Sequence, residues 1–372
     1  MAKASPAETL ARLIRAKGPI PFDIFMNAAL YSDPGGFYRR HIPGDSATYA
    51  TSPSLTPWFG KFVARQLEDF WRQLGEPGEF AVAEIGPGGG DLALATIGAT
   101  GGRLRAALKW TFIEPFENIA AVQRNRLATS PVPTTWLGRL EDSDPIVGVI
   151  LANEVLDNFP FRIFEVRGPR AVEIAVDLRG HEFVETQVQI TDAQLKERAH
   201  AAAGLLEDGD RFEISLHQEE WLARAASILR DGYVLAIDYG DDEPAIWVGR
   251  PAGSAVTYTN GSLGVDLLKD PGSADITAHV NFSALSRAAV KAGLAVGRLL
   301  TQRGWLESLG LEDVVVQLIG AQKLAEREGD HGEAISLLAE RSRIESLRAR
   351  GGLGALRVFL AAKNAALDQP FS

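Results

Sequence analysis

The sequence predicts an α/β protein with a doubly wound, mostly parallel sheet whose last strand is reversed. An apolar run at 80–83 turns through glycines into a helix that begins near Asp91. Continuous apolar runs at 146–151 and 232–240 are typical of buried parallel strands. After a glycine break, the run 356–363 suits a reversed final strand. Ligands of such sheets sit beyond the carboxyl ends of the strands, so the glycine turn predicts a binding corner.

The glycine turn itself favours a particular cofactor. Gly86, Gly88 and Gly90 permit positive φ and close approach of a ligand to the backbone. Their spacing lacks the wider third gap of the dinucleotide fingerprint, and Glu84, just before the turn, would repel a pyrophosphate. An acid there suits a cofactor that carries a cation, which favours S-adenosylmethionine (SAM) over NAD. The backbone of the glycines would then lie along the methionine moiety of SAM, and Glu84 or Asp91 would bind its ammonium. The alternative is an ordinary glycine-rich loop.

A second strand tip strengthens the cofactor hypothesis. The apolar run 110–113 ends in Glu114, and Pro115 stops the strand. A carboxylate in this position can accept hydrogen bonds from both ribose hydroxyls, whereas the alternative is a solvated strand end. Leu137 and Leu140, after the third strand position, are predicted to flank the adenine.

Polar residues also follow the fourth predicted strand. The run 146–151 leads into Asn153 and Glu154, with Asp157 shortly after. A methyltransferase sheet presents catalytic groups at this place, and Asn153 is predicted to contact the cofactor as well. The alternative makes Asn153 and Glu154 a helix cap and a first-turn acid. Further candidate catalytic residues are Glu213, Asp238 and His279, the last of which could equally be a loop histidine.

The N-terminal part is predicted to be helical. Short helices are expected at 7–17 and 21–31, followed by a turn-rich stretch up to Asp45. Apolar residues between Leu55 and Leu74 recur at helical spacing and predict a long amphipathic helix. This helix is expected to lie across the sheet, so that residues 1–79 form an extension closing the cofactor site.

Residues 80–372 are predicted to form the SAM-binding domain, with insertions at about 161–210 and 241–290. Alternating segments within 161–190 indicate an antiparallel meander outside the main sheet. Residues 241–275 read as a long irregular segment. The other predicted elements are strands at 211–215 and 295–301, a helix capped by Asn281, and helices at 192–203, 217–230, 305–326 and 332–348.

Composition restricts the function classes. The 372 residues are 46% hydrophobic and 23% charged, as in soluble enzymes. The longest apolar runs fall short of the roughly 18 residues that a membrane span needs.

The absence of cysteine excludes thiolate chemistry and fits a cytoplasmic location. Charges in the first 18 residues argue against a secretory signal, and Glu8 against a targeting helix. Six scattered histidines predict no metal site. The net charge of −10 disfavours nucleic acid and favours a basic peptide or protein partner.

Six segments, in order, resemble the MidA / NDUFAF-type SAM-dependent methyltransferases. They are DPGGFY (33–38), TSPSLTPWFG (51–60), EIGPGGG (84–90), NEVLDNFP (153–160), GYVLAIDYG (232–240) and DITAHVNF (275–282). The resemblance implies a Rossmann-like class I methyltransferase that modifies a protein, plausibly on arginine. The family's mitochondrial member is an assembly factor that makes symmetric dimethylarginine on a complex I subunit. Gly89 and the segment 256–260 depart from the family pattern, so the resemblance says more about the cofactor than about the substrate.

Three hypotheses follow. The first is a protein arginine methyltransferase in which carboxylates, Glu154 and Asp157 foremost, hold the guanidinium of the substrate. The second is a SAM-binding assembly chaperone without catalysis. The third is a nicotinamide-dependent oxidoreductase, which the glycine spacing disfavours. The sequence leaves the oligomeric state open.

Overall fold

A computed structural model describes residues 4–41, 51–259 and 262–372. The helices are α1 Pro6–Lys17, α2 Phe22–Tyr31, α3 Phe37–Arg40, α4 Ser52–Leu55, α5 Pro57–Gln73, α6 Asp91–Ala99, α7 Gly102–Ala107, α8 Glu117–Arg126, α9 Ala193–Ala203, α10 Leu216–Ile228, α11 Phe282–Lys291, α12 Gln302–Ser308, α13 Leu311–Glu328 and α14 His331–Leu347. The strands are β1 Ile20–Pro21, β2 Phe80–Ile85, β3 Leu108–Ile113, β4 Thr134–Leu137, β5 Ile146–Asn153, β6 Arg162–Arg167, β7 Arg170–Arg179, β8 Glu182–Val188, β9 Arg211–Ile214, β10 Leu229–Asp238, β11 Gly240–Asp241, β12 Val256–Thr259, β13 Ser262–Gly264, β14 Asp275–Thr277, β15 Val280–Asn281, β16 Ala295–Val296, β17 Leu300–Thr301 and β18 Arg357–Lys363.

These elements group into two compact units. The described residues of the first unit lie within 4–41, 155–221, 240–259 and 262–285. Those of the second unit are 51–154, 222–239 and 286–372. The predicted division at residue 79, with an extension that closes the cofactor site, stays a prediction.

The second unit contains the predicted doubly wound sheet. Its strand order is β16-β18-β10-β5-β2-β3-β4, with β17 also paired to β18. The strands β4, β3, β2, β5 and β10 run parallel, and β18 pairs antiparallel to β10, so the reversed last strand is confirmed. The chain passes from β2 outward through β3 and β4, then returns to place β5 on the other side of β2. This change of direction is a topological switch point, where ligands of such sheets bind.

The predicted amphipathic helix forms as α5. Thr56 caps it by accepting a hydrogen bond from the Trp58 amide, and Pro57 occupies its first turn. The apolar face shares one hydrophobic core with β2, β3, β5 and β10. Its most deeply buried members are Phe59, Phe62, Val63, Leu67 and Phe70. Because this core covers the sheet, burial of apolar area rather than helix propensity stabilises α5.

The first unit confirms the antiparallel meander. Strands β6, β7 and β8 pair in sequence in a sheet that also holds β1 and β9 and is separate from the doubly wound sheet. In the same unit, α1 begins with a capping box in which Ser5 accepts from the Glu8 amide (3.2 Å) and Glu8 accepts from the Ser5 amide (2.8 Å). The stretch predicted to be irregular, 241–275, instead contains an antiparallel pair, β12 with β13, and β12 also pairs with β14.

Several predicted boundaries are wrong for identifiable reasons. The helix expected at 217–230 ends at Ile228, because Leu229 already pairs with Ile146 in the main sheet. The helix expected at 305–326 is two helices, α12 and α13, separated at Gly310, whose φ of 86° suits only a residue without a side chain.

Two further segments differ from the prediction. The strand expected at 295–301 is reduced to β16 and β17, because the Gly297 amide bonds the Leu360 carbonyl while the next amide, of Arg298, bonds Phe371 instead of continuing the ladder. The turn-rich stretch after residue 31 includes the short helix α3, and its end beyond His41 lies outside the described residues. Among the helices that the structure describes, each is too short or too polar to cross a bilayer.

Close packing of β5 between its neighbours gives a stability prediction. A Cβ placed on Gly148 would lie 2.0 Å from the Ala81 carbonyl oxygen, and the φ of 149° is itself unfavourable for other residues. Gly148→Ala should therefore lower the free energy of unfolding by about 2–4 kcal/mol. Gly78→Ala, where a Cβ meets no atom within 4 Å, is the control and should change it by less than about 1 kcal/mol. Equal denaturant midpoints for the two variants would contradict the explanation.

Candidate active site

The turn after β2 has the conformation that its glycines allow. Gly86, Gly88 and Gly90 have φ values of 57°, 52° and 83°, and Gly90 directly precedes α6. Such values are unfavourable for residues with a side chain, which explains the three glycines. Arg126 of α8 holds the turn from outside, because it donates to the Gly89 carbonyl (2.6 Å) and pairs with the Asp91 carboxylate (2.5 Å).

Glu114 lies at the tip of the neighbouring strand, as predicted. It is 8% exposed, and its carboxylate accepts hydrogen bonds from the Phe116 amide (2.9 Å, to Oε1) and from Gln123 Nε2 (3.2 Å, to Oε2). Burial raises the pKa of Glu114 to about 7, an effect that these two donors reduce. A carboxylate offers about four acceptor positions, so each oxygen retains one for a further donor. That is the requirement for binding the two hydroxyls of a ribose.

Gln123 and Arg126 were not predicted from the sequence. Gln123 is fully buried on α8, and its Nε2 also donates to the Gly88 carbonyl at 2.8 Å. Both residues therefore contact the glycine turn through its backbone carbonyls. Polar residues on a helix carry no sequence signal for such a role, because they look like any solvated helix face.

The two candidates for binding an ammonium differ in environment. Glu84 is 3% exposed and accepts a hydrogen bond from Trp110 Nε1 at 2.9 Å. Burial raises its pKa to about 8; the Trp110 bond lowers it, and the charge of Asp91 raises it further. Asp91 is partly exposed and already paired with Arg126. Which of the two meets the cofactor stays a prediction.

The predicted adenine contacts occupy the next strand end. Leu137 is half-buried at the end of β4, where its carbonyl accepts from the Glu114 amide at 2.9 Å. Leu140 is buried and begins a short 3-10 turn, Leu140–Asp142. The contact of these leucines with adenine stays a prediction.

At the tip of β5, the sequence-predicted polar residues lie together. Glu154 has a φ of 50°, and its amide bonds the Ile237 carbonyl of β10 at 2.8 Å. Its Oε1 accepts from the Ser52 amide (2.9 Å) and from Asn153 Nδ2 (3.2 Å). Asp238 ends the adjacent strand β10 and is fully buried. Burial raises the pKa of Glu154 to about 7; the Ser52 amide lowers it and the charge of Asp238 raises it.

Asn153 is only partly satisfied. Its Nδ2 bonds Glu154, but its Oδ1 is buried and has no hydrogen-bond partner among the residues that the structure describes. A buried acceptor of this kind calls for an explanation. The predicted contact of Asn153 with the cofactor would supply one, and it stays a prediction.

The other predicted catalytic residues belong to the first unit. Glu213 accepts hydrogen bonds from the Ser254 amide, the Ser254 hydroxyl and the Ala255 amide at 2.9–3.2 Å, so it already stabilises the loop that follows Gly253. The amide of His279 donates to the same Ser254 hydroxyl at 3.0 Å. The Asp157 carbonyl accepts from the Ala278 amide, one residue before His279.

The imidazole of His279 is neutral at physiological pH. Burial lowers its pKa to about 4, as does the charge of Arg250, whereas Asp241 raises it. Its Nδ1 is buried without a hydrogen-bond partner within the described part of the chain.

Comparison with known proteins decides the family. The profile of a family described as "Putative S-adenosyl-L-methionine-dependent methyltransferase" matches residues 62–299, more than half of the chain. The chain belongs to this methyltransferase family. It is 27% identical over 308 residues to the mitochondrial protein arginine methyltransferase NDUFAF7 homolog of Drosophila melanogaster, covering 74% of this chain and 68% of that protein. It is 26% identical over 329 residues to the Homo sapiens protein arginine methyltransferase NDUFAF7, mitochondrial, covering 80% and 72%.

A solved structure has the same fold. A Burkholderia thailandensis protein crystallised with S-adenosyl-homocysteine superimposes with a TM-score of 0.82 at 24% identity, over 97% of this chain and 92% of that one. The class I Rossmann-like fold is confirmed by this likeness. SAM as cofactor and SAM-dependent methyl transfer as activity are confirmed by the family, which leaves the nicotinamide hypothesis without support.

One prediction is wrong. The cytoplasmic location expected from composition is contradicted by the relatives, which are named as mitochondrial proteins. Proteins without cysteine occur in many compartments, so the absence of cysteine does not distinguish one compartment from another.

The residues at the switch point fit SAM in its family role. Glu114 retains one acceptor position on each oxygen for the ribose, and the glycine turn has the positive φ values that its glycines allow. The buried carboxyls of Glu84 and Glu154 have raised pKa values, as expected where a bound cation compensates their charge. SAM carries a sulfonium and an ammonium, so its charge matches this environment.

The ribose assignment gives a binding prediction. Glu114→Ala should raise the Kd for S-adenosyl-homocysteine at least tenfold, because hydrogen bonds to a charged group contribute roughly 1.5–3 kcal/mol each. Glu117→Ala, which changes a mostly exposed acid at the start of α8, is the control and should leave the Kd unchanged. Isothermal titration calorimetry measures both, and equal affinities would refute the assignment.

The raised pKa of Glu84 gives a prediction for stability against pH. In the unfolded chain this carboxyl has a pKa near 4.5, against about 8 in the fold. Its contribution to stability is therefore complete below pH 4.5 and is lost as the pH rises to 8. Glu84→Gln removes this dependence, so the variant should gain unfolding free energy relative to the wild type by up to about 1.4 kcal/mol per pH unit. The exposed Glu79→Gln is the control; denaturation at pH 5, 6, 7 and 8 that gives parallel curves for Glu84→Gln and the wild type would contradict the pKa shift.

Proposed function

We propose that this protein transfers the methyl group of SAM to an arginine side chain of a protein. The relatives named protein arginine methyltransferases support this proposal, and the family resemblance extends it to a subunit of respiratory complex I as the protein modified. The site supports it through the carboxyls at the tips of β5 and β10, because a guanidinium is best recognised by carboxylates.

The observation that carries the proposal is the setting of Glu154. Two donors fix its Oε1. Its backbone has a positive φ, which is unusual for a residue with a side chain, directly after the last residue of β5. Residues held in this left-handed conformation cost about 1–3 kcal/mol and persist where the surrounding structure requires them. The glycine turn lies at the same edge of the sheet, because β2 and β5 are adjacent and parallel.

The chemistry requires a proton acceptor. An arginine guanidinium remains protonated at neutral pH, so a proton must leave as its nitrogen becomes alkylated. Glu154, with a pKa near 7, is a stronger base than an ordinary carboxylate and accepts that proton before passing it to water. When bound, SAM supplies a methyl group on a sulfonium, whose carbon–sulfur bond breaks with the electron pair moving to sulfur. Asp238 would keep the site negative and Asn153 would orient the carboxylate.

Residues of the first unit complete the proposal. His279 would accept a hydrogen bond from the substrate through its neutral imidazole, whose Nδ1 is buried and unsatisfied within the described residues. Glu213 would act indirectly, since its carboxylate orders Ser254, which in turn bonds the His279 backbone. Asp157 stays a candidate ligand of the guanidinium, because a carboxylate suits that group.

The test is methyl transfer with an isotope-labelled SAM methyl group. Purified complex I subunits and arginine-rich peptides are the acceptors, and amino-acid analysis of the labelled product should give methylated arginine. Label on lysine would refute the arginine assignment. Binding of S-adenosyl-homocysteine without transfer to any protein would favour the assembly chaperone that lacks catalysis.

Glu154→Gln separates catalysis from cofactor binding. The variant should bind S-adenosyl-homocysteine within about threefold of the wild type, yet its turnover should fall by about 100-fold or more, because general-base catalysis contributes roughly 10²–10⁴. Asp144→Asn, an exposed acid just before β5, is the control and should retain full turnover. Unchanged turnover in Glu154→Gln would remove this residue from the mechanism.

A further inference from the structure

Gln123 is a buried polar residue whose hydrogen bonds all lead to the cofactor side of the sheet. Its side-chain nitrogen donates to the Gly88 carbonyl (2.8 Å) and to Glu114 Oε2 (3.2 Å), and its oxygen accepts from Trp136 Nε1 (3.0 Å). The amide is fully buried, and both donors of its nitrogen are used. Its orientation is therefore fixed, because the indole can only donate and the carbonyl and carboxylate can only accept.

The three partners of Gln123 come from three neighbouring strands. Gly88 follows β2, Glu114 follows β3 and Trp136 belongs to β4. Hydrogen bonds between the strands set the register of the sheet but do not fix the residues beyond the strand ends. A single side chain on α8 therefore connects the glycine turn, the predicted ribose ligand and β4, the strand that ends in the predicted adenine contact Leu137.

The geometry at Glu114 shows what this tie controls. One oxygen is engaged by the Phe116 amide and the other by Gln123, so the plane of the carboxylate is set by two donors. The two acceptor positions left over are divided evenly, one on each oxygen. Without Gln123, one donor is lost and the carboxylate can rotate about its terminal bond, a torsion that is intrinsically broad.

We propose that Gln123 is a positioning residue for SAM, which aims the Glu114 carboxylate at the ribose hydroxyls and holds the glycine turn through the Gly88 carbonyl. The inference rests on SAM as the cofactor and on the ribose role of Glu114, and it is independent of the methyl acceptor. It assigns to α8 a part in cofactor affinity that lies outside the glycine turn and the acids at the strand tips.

The test measures the Kd for S-adenosyl-homocysteine in Gln123→Met and Gln123→Glu. Met keeps the length of the side chain and removes all three bonds, whereas Glu keeps an acceptor for Trp136 and places a carboxylate against the Gly88 carbonyl and Glu114. Both variants should bind at least tenfold more weakly than the wild type. If Gln123→Met does not fold, Gln123→Glu carries the test, because it preserves the volume and the indole bond.

A matched control separates positioning from general loss of stability. Gln66, in α5, is also buried and also accepts from a tryptophan, Trp305 Nε1, at 2.8 Å. Gln66→Met should lower the Tm in the same way as Gln123→Met while leaving the Kd unchanged. Equal weakening of binding in Gln66→Met and Gln123→Met would show that destabilisation alone explains the effect and would overturn the proposal.

The pH dependence of binding adds a readout that a purely structural role would not change. Donation from Gln123 lowers the pKa of Glu114, so its loss should move the pH at which affinity rises to a higher value. A Kd and pH profile identical to the wild type in both Gln123 variants would overturn the proposal while leaving SAM binding intact. Failure of the wild type itself to bind S-adenosyl-homocysteine would instead refute the cofactor, and the inference with it.

Discussion

The parallel pairing of β2 with β5 is the constraint on which the site depends. These strands are separated by more than 60 residues in the sequence, yet Ala81 to Ile85 pair with Gly148 to Ala152 in unbroken register. Gly148 makes this possible, because any side chain there would collide with the Ala81 carbonyl. Since both strands run the same way, the glycine turn and Glu154 emerge at one edge. The chemistry is thus assembled by a backbone contact at the opposite end of the strands.

This arrangement buries three carboxyls, and burial destabilises their charged forms. Glu84, Glu114 and Glu154 lie at the carboxyl ends of three adjacent strands, and burial raises the pKa of each to between about 7 and 8. Within the described part of the chain, the donors that compensate these carboxyls are Trp110 for Glu84, Phe116 and Gln123 for Glu114, and Ser52 and Asn153 for Glu154. Groups kept in this state destabilise the empty fold near neutral pH and interact strongly with cations and hydroxyl donors. If these carboxyls meet the cofactor as predicted, the positive charge of SAM would reduce this penalty on binding.

The sequence allowed more of the fold than of the site to be predicted. Apolar runs gave the central strands, and the glycines gave the turn, because burial and positive φ restrict residue type. Gln123, Arg126 and Ser52 were not predicted, since a helical glutamine or arginine and a serine at the start of a short helix have no pattern that distinguishes them from solvated residues. Their importance comes from hydrogen bonds to Gly88, Gly89 and Glu154, which are contacts between distant segments. The break between two helices at Gly310 was not predicted, because a single glycine inside an apolar pattern is compatible with a continuous helix.

The sequence by itself determined the class of fold, the position of the glycine turn and the cofactor. These follow from local periodicity and from glycines at positions whose backbone conformation other residues rarely adopt. Which acids are buried, and how strongly their pKa values rise, was decided by the tertiary structure alone. Desolvation depends on every atom packed around a carboxyl, and burial raises the pKa of Glu84 to about 8 even though the hydrogen bond from Trp110 lowers it. The local sequence pattern therefore specifies where the candidate reacting groups lie in the chain, and tertiary packing specifies how deeply they are buried and how far their pKa values shift.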